Sequence, residues 1–188
     1  MILLIIVLGI ALLFFMIGLS IYNGLIRKKN NVKNTWSTID VMLKKRHDLI
    51  PNLVETVKKY MQHERETLTE IVKLRSQIVD NKNISDDEKM KLESRLSSKL
   101  SGLKINIENY PDLKANTNFI ELQDSLNEVE AQLSAARRTY NAAVLDYNNA
   151  LEMFPSSVFA SRMNYKPANF IEIPEVERAN PDVKSLFE

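Results

Sequence analysis

From Met1 to Ile26 the chain carries no charged side chain, and Ile2–Tyr22 is apolar throughout except for Gly9, Gly18 and Ser20. Roughly 20 such residues in a helix cross a hydrocarbon core of about 30 Å. Arg27-Lys28-Lys29 follows at once, and three cations do not enter a bilayer cheaply, so the apolar run stops there. A cleaved secretory signal would place basic residues before an apolar core of about 7–15 residues and end it on a small-x-small site. Here no Lys or Arg precedes the run, and Gly18-Leu19-Ser20 is a poor cleavage triplet. The sequence therefore predicts a retained transmembrane anchor over residues 1–26. Basic residues flank the cytoplasmic end of a span, so the expected topology is a single pass through the cell membrane, with the N-terminus outside and the rest cytoplasmic.

Of the 188 residues, about 160 follow the anchor, enough for one domain with a real core. A net charge of +1 disfavours nucleic-acid binding driven by overall charge. The absence of cysteine removes disulfides, thiolate metal sites and cysteine nucleophiles, and fits a cytoplasmic domain. Gly9, Gly18 and Gly24 lie in the anchor or at its edge, which leaves Gly102 alone for the rest. Phosphate-cradling loops and dinucleotide turns need several glycines and cannot be built here.

No proline or glycine interrupts Lys28–Ile50, so the membrane helix is expected to continue as a stalk, 27–50, reaching about 35 Å beyond the anchor. From Leu43 a stripe of three- and four-residue steps runs through His47, Ile50, Val54, Val57, Met61, Glu64, Leu68, Ile71, Arg75 and Ile78, the spacing of a helical packing face. Pro51 lies inside it, predicting a kinked but continuous path with Asp48 able to cap a restart. Asp80–Ser85 reads as a turn, and Ser85-Asp86-Asp87-Glu88 as a capping box. The next helix carries Leu92, Leu96, Leu100, Leu103 and Ile107 and ends at Tyr110-Pro111. The last long helix has a stripe through Phe119, Leu122, Leu126, Val129, Leu133, Ala136, Tyr140, Ala143, Tyr147, Ala150 and Phe154, widened by Ile120, Val144 and Leu151. So wide a face suits a bundle better than a two-stranded coiled coil. Pro155 closes that helix, a shorter segment to Met163 follows, and prolines make the remainder irregular, with an acidic tail over 174–188. The expected fold is all-α: one N-terminal transmembrane helix, then an antiparallel bundle of long helices over residues 27–173.

The stretch Trp36-Ser37-Thr38-Ile39-Asp40-Val41-Met42-Leu43-Lys44-Lys45-Arg46-His47-Asp48-Leu49-Ile50-Pro51-Asn52-Leu53-Val54 resembles the signature of the LemA family. His63-Glu64, Tyr110-Pro111-Asp112-Leu113-Lys114-Ala115, Asn118-Phe119 with Leu122-Gln123, Ala136-Arg137, Tyr140-Asn141, Tyr147-Asn148 and Phe154-Pro155 add to the likeness. Met42 and Lys45 stand where the family more often has glutamine and arginine. The resemblance runs from the anchor to about Phe170. It implies a short outside N-terminus, one membrane helix and a cytoplasmic helical bundle, and it brings no enzymatic activity and no cofactor. It also implies an association with membrane organisation and with membrane-embedded zinc proteases as partners.

Chemistry-bearing residues are sparse. His63-Glu64 is followed by Arg65, Glu66 and Thr67, so no H-E-x-x-H zinc motif forms. His47-Asp48 has no serine, cysteine or metal partner at recognisable spacing, and His47 reads as a seam residue hydrogen-bonded inside the bundle. The carboxylates of Asp86-Asp87-Glu88 and Glu128/Glu130 read as helix starts and solvated faces. Tyr140 and Tyr147 read as core rings with satisfied hydroxyls. The remaining feature is a basic stretch: Lys/Arg at 27, 28, 29, 33, 44, 45, 46, 58 and 59 against Asp/Glu at 40, 48 and 55. Anionic lipid attracts such cations near the membrane, and Lys44-Lys45-Arg46 can equally face a protein. The expected function is a non-enzymatic membrane-anchored scaffold or adaptor, without cofactor or metal, assembling with itself or another membrane protein through Arg27, Lys28, Lys29, Trp36, Lys44, Lys45, Arg46, His47 and Asp48. The rival readings are an anionic-lipid-binding surface protein, and an enzyme using His47 and Glu64.

Overall fold

The computed structural model describes residues 1–81 and 84–171. The expected Asp80–Ser85 turn falls partly outside these residues and the acidic tail wholly so. Among the described residues there are helices and turns and no strand: α1 (Ile2–Lys58), α2 (Arg65–Val79), α3 (Asp86–Asn106), α4 (Pro111–Lys114), α5 (Thr117–Glu152) and α6 (Ser156–Arg162). Contacts group them into two units, 1–39 with 135–171 and 40–134, with α1 and α5 contributing residues to each.

In the unit of residues 40–134, the stripe expected from Leu43 to Ile78 is present but does not lie on one helix. Helix α1 continues without a break past Pro51 to Lys58, the continuous path expected there, and Asp48, expected as a cap, instead accepts a bond from Lys44 one turn back. The chain then breaks at residues 59–61 and passes through a 3-10 turn, Gln62–Glu64, before starting α2. The Arg75 guanidinium of α2 donates to the His47 carbonyl of α1, which sets the two helices antiparallel. Ile50, Leu53, Val57 and Met61 thus pack against Leu68, Ile71, Leu74 and Ile78. A stripe that keeps its phase through a reversal reads the same for one long helix as for a hairpin whose halves face each other.

Helix α3 begins as its capping box requires, with the Glu88 amide donating to Ser85 Oγ. Leu96, Leu103 and Ile107 enter the core, with Leu92 and Leu100 packed beside them. Pro111 does not simply end this helix; it opens α4, where the missing amide proton costs nothing. Asn116 caps α5 by accepting from the Phe119 amide, and its other amide atom donates to Tyr60. Polar contacts between helices mark the directions of the packed helices. Lys99 of α3 meets Glu70 of α2, and Lys104 of α3 donates to Asn127 of α5. The result in this unit is an up–down arrangement in which α3 is antiparallel to both α2 and α5. Each fully buried leucine or isoleucine in such a core contributes about 1.5–3 kcal/mol of apolar burial.

In the unit of residues 1–39 and 135–171, α1 and α5 again run antiparallel: Trp36 lies against Tyr140, with ring centroids 5.3 Å apart, and Lys28 pairs with Asp146. Residues 1–17 are exposed throughout, whereas Leu25 is buried. Two corrections concern the packing stripe of α5. Phe154, expected in the packing stripe, is 83 % exposed, because the helix stops at Glu152 and the stripe stops with it. Ile120, expected to widen the buried face, is exposed, while Val144 is fully buried.

Past α6 the chain turns back. Asn164 takes the left-handed conformation (φ 51°), the Asn164 amide donates to Ser161 and the Tyr165 amide to Ala160. That is a Schellman closure with asparagine in the position that favours it. The segment after it runs extended along α5. Asn148 both donates to the Ala168 carbonyl and accepts from the Ala168 amide, and Asn141 does the same with Ile171. Tyr147 and Tyr140 donate to the carbonyls of Lys166 and Asn169. Both pairs step seven residues along the helix and three along the extended chain. Seven helical residues rise about 10.5 Å and three extended ones about 10 Å, so the two ladders stay in register.

Candidate functional site

The densest polar cluster lies in the unit of residues 40–134, where stripe positions on α1 and α3 are charged instead of apolar. Arg46 and His47 occupy the turn between Leu43 and Ile50, so both fall on the buried face of α1. Glu93 lies three residues before Leu96, on the buried face of α3. Arg46 Nη1 donates to Ser97 Oγ at 2.7 Å and to Glu130 Oε1 at 2.7 Å, and its Nη2 pairs with Glu93 Oε2. One guanidinium thereby ties α1 to α3 and α5. His47 Nε2 lies 2.9 Å from Glu93 Oε1. Neither atom has a well-aligned hydrogen-bond partner among the described residues, so each is the other's nearest polar contact. Two buried acceptors facing each other would be costly, so the ring carries its proton on Nε2 and donates to the carboxylate.

Burial works against both charges here. It would raise the Glu93 pKa, but the His47 contact and the Arg46 charge outweigh it and hold this carboxyl below the ordinary carboxylate range. Burial would likewise lower the Arg46 pKa, but the charges of Glu93 and Glu130 reverse the shift and raise it. Perturbed groups mark functional sites, and structural ion-pair networks perturb them in the same way. Access separates the two cases. Arg46 and Glu93 are wholly buried and His47 nearly so, and a general base must come within reach of a substrate proton. Among the described residues no cluster of histidine, cysteine, aspartate or glutamate is placed to hold a metal. Buried in this way, the arrangement orders three helices. An apolar groove of about 460 Å³ is lined by Ile50, Pro51, Val54 and Val72, with Arg75 alongside.

The residues expected to form an interaction face are not brought together. Lys44, Lys45 and Asp48 are exposed, with Lys44 and Asp48 paired on one helical turn. Arg46 is buried in the cluster, which corrects its expected place on an interaction face, while His47 is buried beside it at the seam position expected of it: a 100° step per residue turns both inward where their neighbours point out. Trp36 is half-buried against Tyr140 and does not project as a recognition residue. Arg27 is exposed, but Lys28 is paired with Asp146 and Lys29 sits 4.2 Å from the Tyr165 ring centroid as a cation–π contact. Glu64 accepts from Thr67 in the turn after α1, away from His47. Glu93 escaped the sequence reading altogether, and Glu130 was placed on a solvated face. The signal for Glu93 was present: Glu93, Leu96, Leu100, Leu103 continue the 3-4 stripe with a charge in place of a leucine.

These features define an all-α protein with one N-terminal helix segment long and apolar enough to span a membrane, and a helical core pinned by a buried ion-pair cluster. The pattern of the LemA family matches residues 35–185, and the chain belongs to that family. It is similar to Protein LemA of Metamycoplasma hominis, with 25 % identity over 183 residues that cover 93 % of this chain and 83 % of the relative.

Proposed function

We propose that this protein is a single-pass membrane scaffold that assembles with itself or with another membrane protein and turns over no substrate. The observation that carries the reading is the fate of its apolar surface. The most apolar 18-residue window of α1 has a mean hydropathy of 3.2, and none of it is buried against the rest of the protein. A core helix of a soluble protein would be covered; this one is left for lipid. The Arg27-Lys28-Lys29 flank supports an orientation with the C-terminal bulk in the cytoplasm of the cell membrane. The sealed Arg46–Glu93–His47 cluster supports a structural role for the polar residues an enzyme would need. Lipid binding through the basic stretch draws less support, because Lys28 and Lys29 are engaged within their own unit.

The surface left for assembly on the stalk is Val41, Lys44 and Lys45, all exposed on α1. An anchor confines copies to two dimensions, so weak lateral contacts suffice. The test is the mass of the protein in lipid nanodiscs or gentle detergent, alone and after recovery from membranes. Wild type is expected above monomer mass or with a membrane protein bound, and Val41→Glu/Lys44→Glu/Lys45→Glu is expected to fall to monomer with its helix content intact. A strictly monomeric wild type that captures no membrane partner overturns the reading.

A further inference from the structure

The corner between α5 and α6 lies against the apolar segment of α1. A methyl group added at Gly18 would meet the Phe159 ring at 3.4 Å, so this ring rests directly on the span. Gly18 is nine residues before Arg27, which places Phe159 about 13 Å further along the helix axis than the basic flank. The headgroup layer on each side of a bilayer is only about 5–8 Å thick. A chain element alongside Gly18 is therefore at the depth of the acyl-chain boundary if α1 spans the membrane.

The composition of the corner fits that depth. Between Glu152 and Arg162 no charged side chain occurs. Met153, Phe154 and Val158 are exposed at 64 %, 83 % and 51 %, within six residues of one another. Apolar residues exposed singly, as Val72 and Val79 are, need no explanation, whereas a cluster of large ones does. Backbone groups at the corner are also satisfied locally. The Ser157 amide and the Ser156 hydroxyl both donate to the Met153 carbonyl, the Val158 amide donates to that of Pro155, and the Schellman closure completes the far end of α6. Irregular backbone at membrane depth needs such internal partners.

We propose that the α5–α6 corner is a second membrane contact, seated in the interface on the basic-flank side with Met153, Phe154 and Val158 entering the acyl-chain boundary. The occupant of this patch is lipid, because Phe159, next to Val158, rests on the exposed apolar surface of the span. The proposal rests on the anchor reading of α1. Its consequence is that one face of the protein is held against the bilayer at two points, which fixes the tilt and rotation of this unit relative to the membrane.

The chain has no cysteine, so single cysteines carry a fluorophore cleanly. The full-length protein is labelled at Leu8→Cys, Phe154→Cys, Val158→Cys or Lys45→Cys and reconstituted in phosphatidylcholine–phosphatidylglycerol vesicles. Aqueous iodide and acyl-brominated lipid are the two quenchers. Labels at 8, 154 and 158 are expected to lose iodide quenching and gain lipid quenching, while the label at 45 does the reverse. Lipid quenching at 8 with iodide quenching at 154 and 158 overturns the corner contact and leaves the anchor standing. Shielding of 154 and 158 from both reagents marks a protein contact and overturns it too. Iodide quenching at 8 overturns the anchor reading itself.

Discussion

Two polar networks are built along α5, and they use opposite chemistry. In the unit of residues 40–134 the network is ionic and largely buried: Arg46, Glu93 and His47, removed from water, join the half-exposed Glu130 to hold three helices together. In the unit of residues 1–39 and 135–171 it is neutral and modular: Tyr140, Asn141, Tyr147 and Asn148 hold an extended segment through its peptide groups. A buried ion pair adds little over an apolar replacement but becomes a large liability when half of it is removed. An amide pairing with a backbone amide and carbonyl is worth an ordinary hydrogen bond or two, and its loss leaves nothing charged behind. The first network specifies which helices meet; the second adds an extended segment in small increments.

The strongest way to break this comparison is to remove one side of the ionic network. Glu93→Ala leaves the Arg46 charge buried with only the half-exposed Glu130 to meet it, so unfolding of the full-length protein in micelles is expected to lose about 3–5 kcal/mol. Replacing both partners, Arg46→Met with Glu93→Leu, is expected to recover most of that loss. A double variant as unstable as the single one would show that packing, and not the stranded charge, sets the cost.

Acid provides a graded form of the same experiment. The Glu93 pKa is lowered in the folded protein, and an unfolded glutamate titrates near about 4.3. The stability it contributes is thus present in full above that value and lost as pH falls through the lower folded one. Hydrogen exchange is expected to show residues 40–58 and 86–106 losing protection in that acid window before 140–148 does, since the tyrosine–asparagine ladder has no carboxylate in it. Equal loss in both would mean the two networks do not differ in the way their chemistry implies.

The fold was readable wherever burial and helical period say the same thing. The leucine stripe of α3, the capping box at Ser85 and the Tyr140/Tyr147 face of α5 were all visible for that reason. Reading failed where period alone is ambiguous. The α1–α2 reversal keeps the stripe in phase, so nothing in the spacing of Val57, Met61 and Leu68 distinguishes a hairpin from a rod. The ionic cluster was hidden by a bias in reading charge as surface: Arg46 and Glu93 sit at stripe positions, and only the position reveals their burial. The extended segment was beyond reach because Asn141 and Asn148 pair with backbone, which leaves no complementary side chain to find in residues 165–171.

The neutral ladder is expected to respond locally and more weakly. Asn148→Ala removes both bonds to Ala168 and leaves that amide and carbonyl without their partner, at a cost of about 1–3 kcal/mol. Because Asn141, Tyr140 and Tyr147 hold neighbouring rungs, the loss is expected as faster hydrogen exchange and proteolysis around Ala168, with residues 40–134 unchanged. Global destabilisation on the scale of Glu93→Ala would erase the distinction between the two networks.

The smallest effect sharpens the comparison most, because it tests an exposed ion pair in the unit whose ladder is neutral. Lys28 and Asp146 form a close pair whose side chains are 35 % and 62 % exposed. Water and salt screen such a pair, and holding a long lysine in place costs conformational entropy, so exposed pairs contribute about 0–1 kcal/mol. Asp146→Asn is therefore expected to change stability by less than about 1 kcal/mol, and by still less at high salt. Chemically the pair resembles Arg46–Glu93, an acid and a base on two antiparallel segments of α1 and α5 in one case and on α1 and α3 in the other. The two differ in solvent access and in that Arg46 and Glu93 have further partners in Glu130, Ser97 and His47. If Asp146→Asn costs as much as Glu93→Ala, burial is not what gives the inner network its weight.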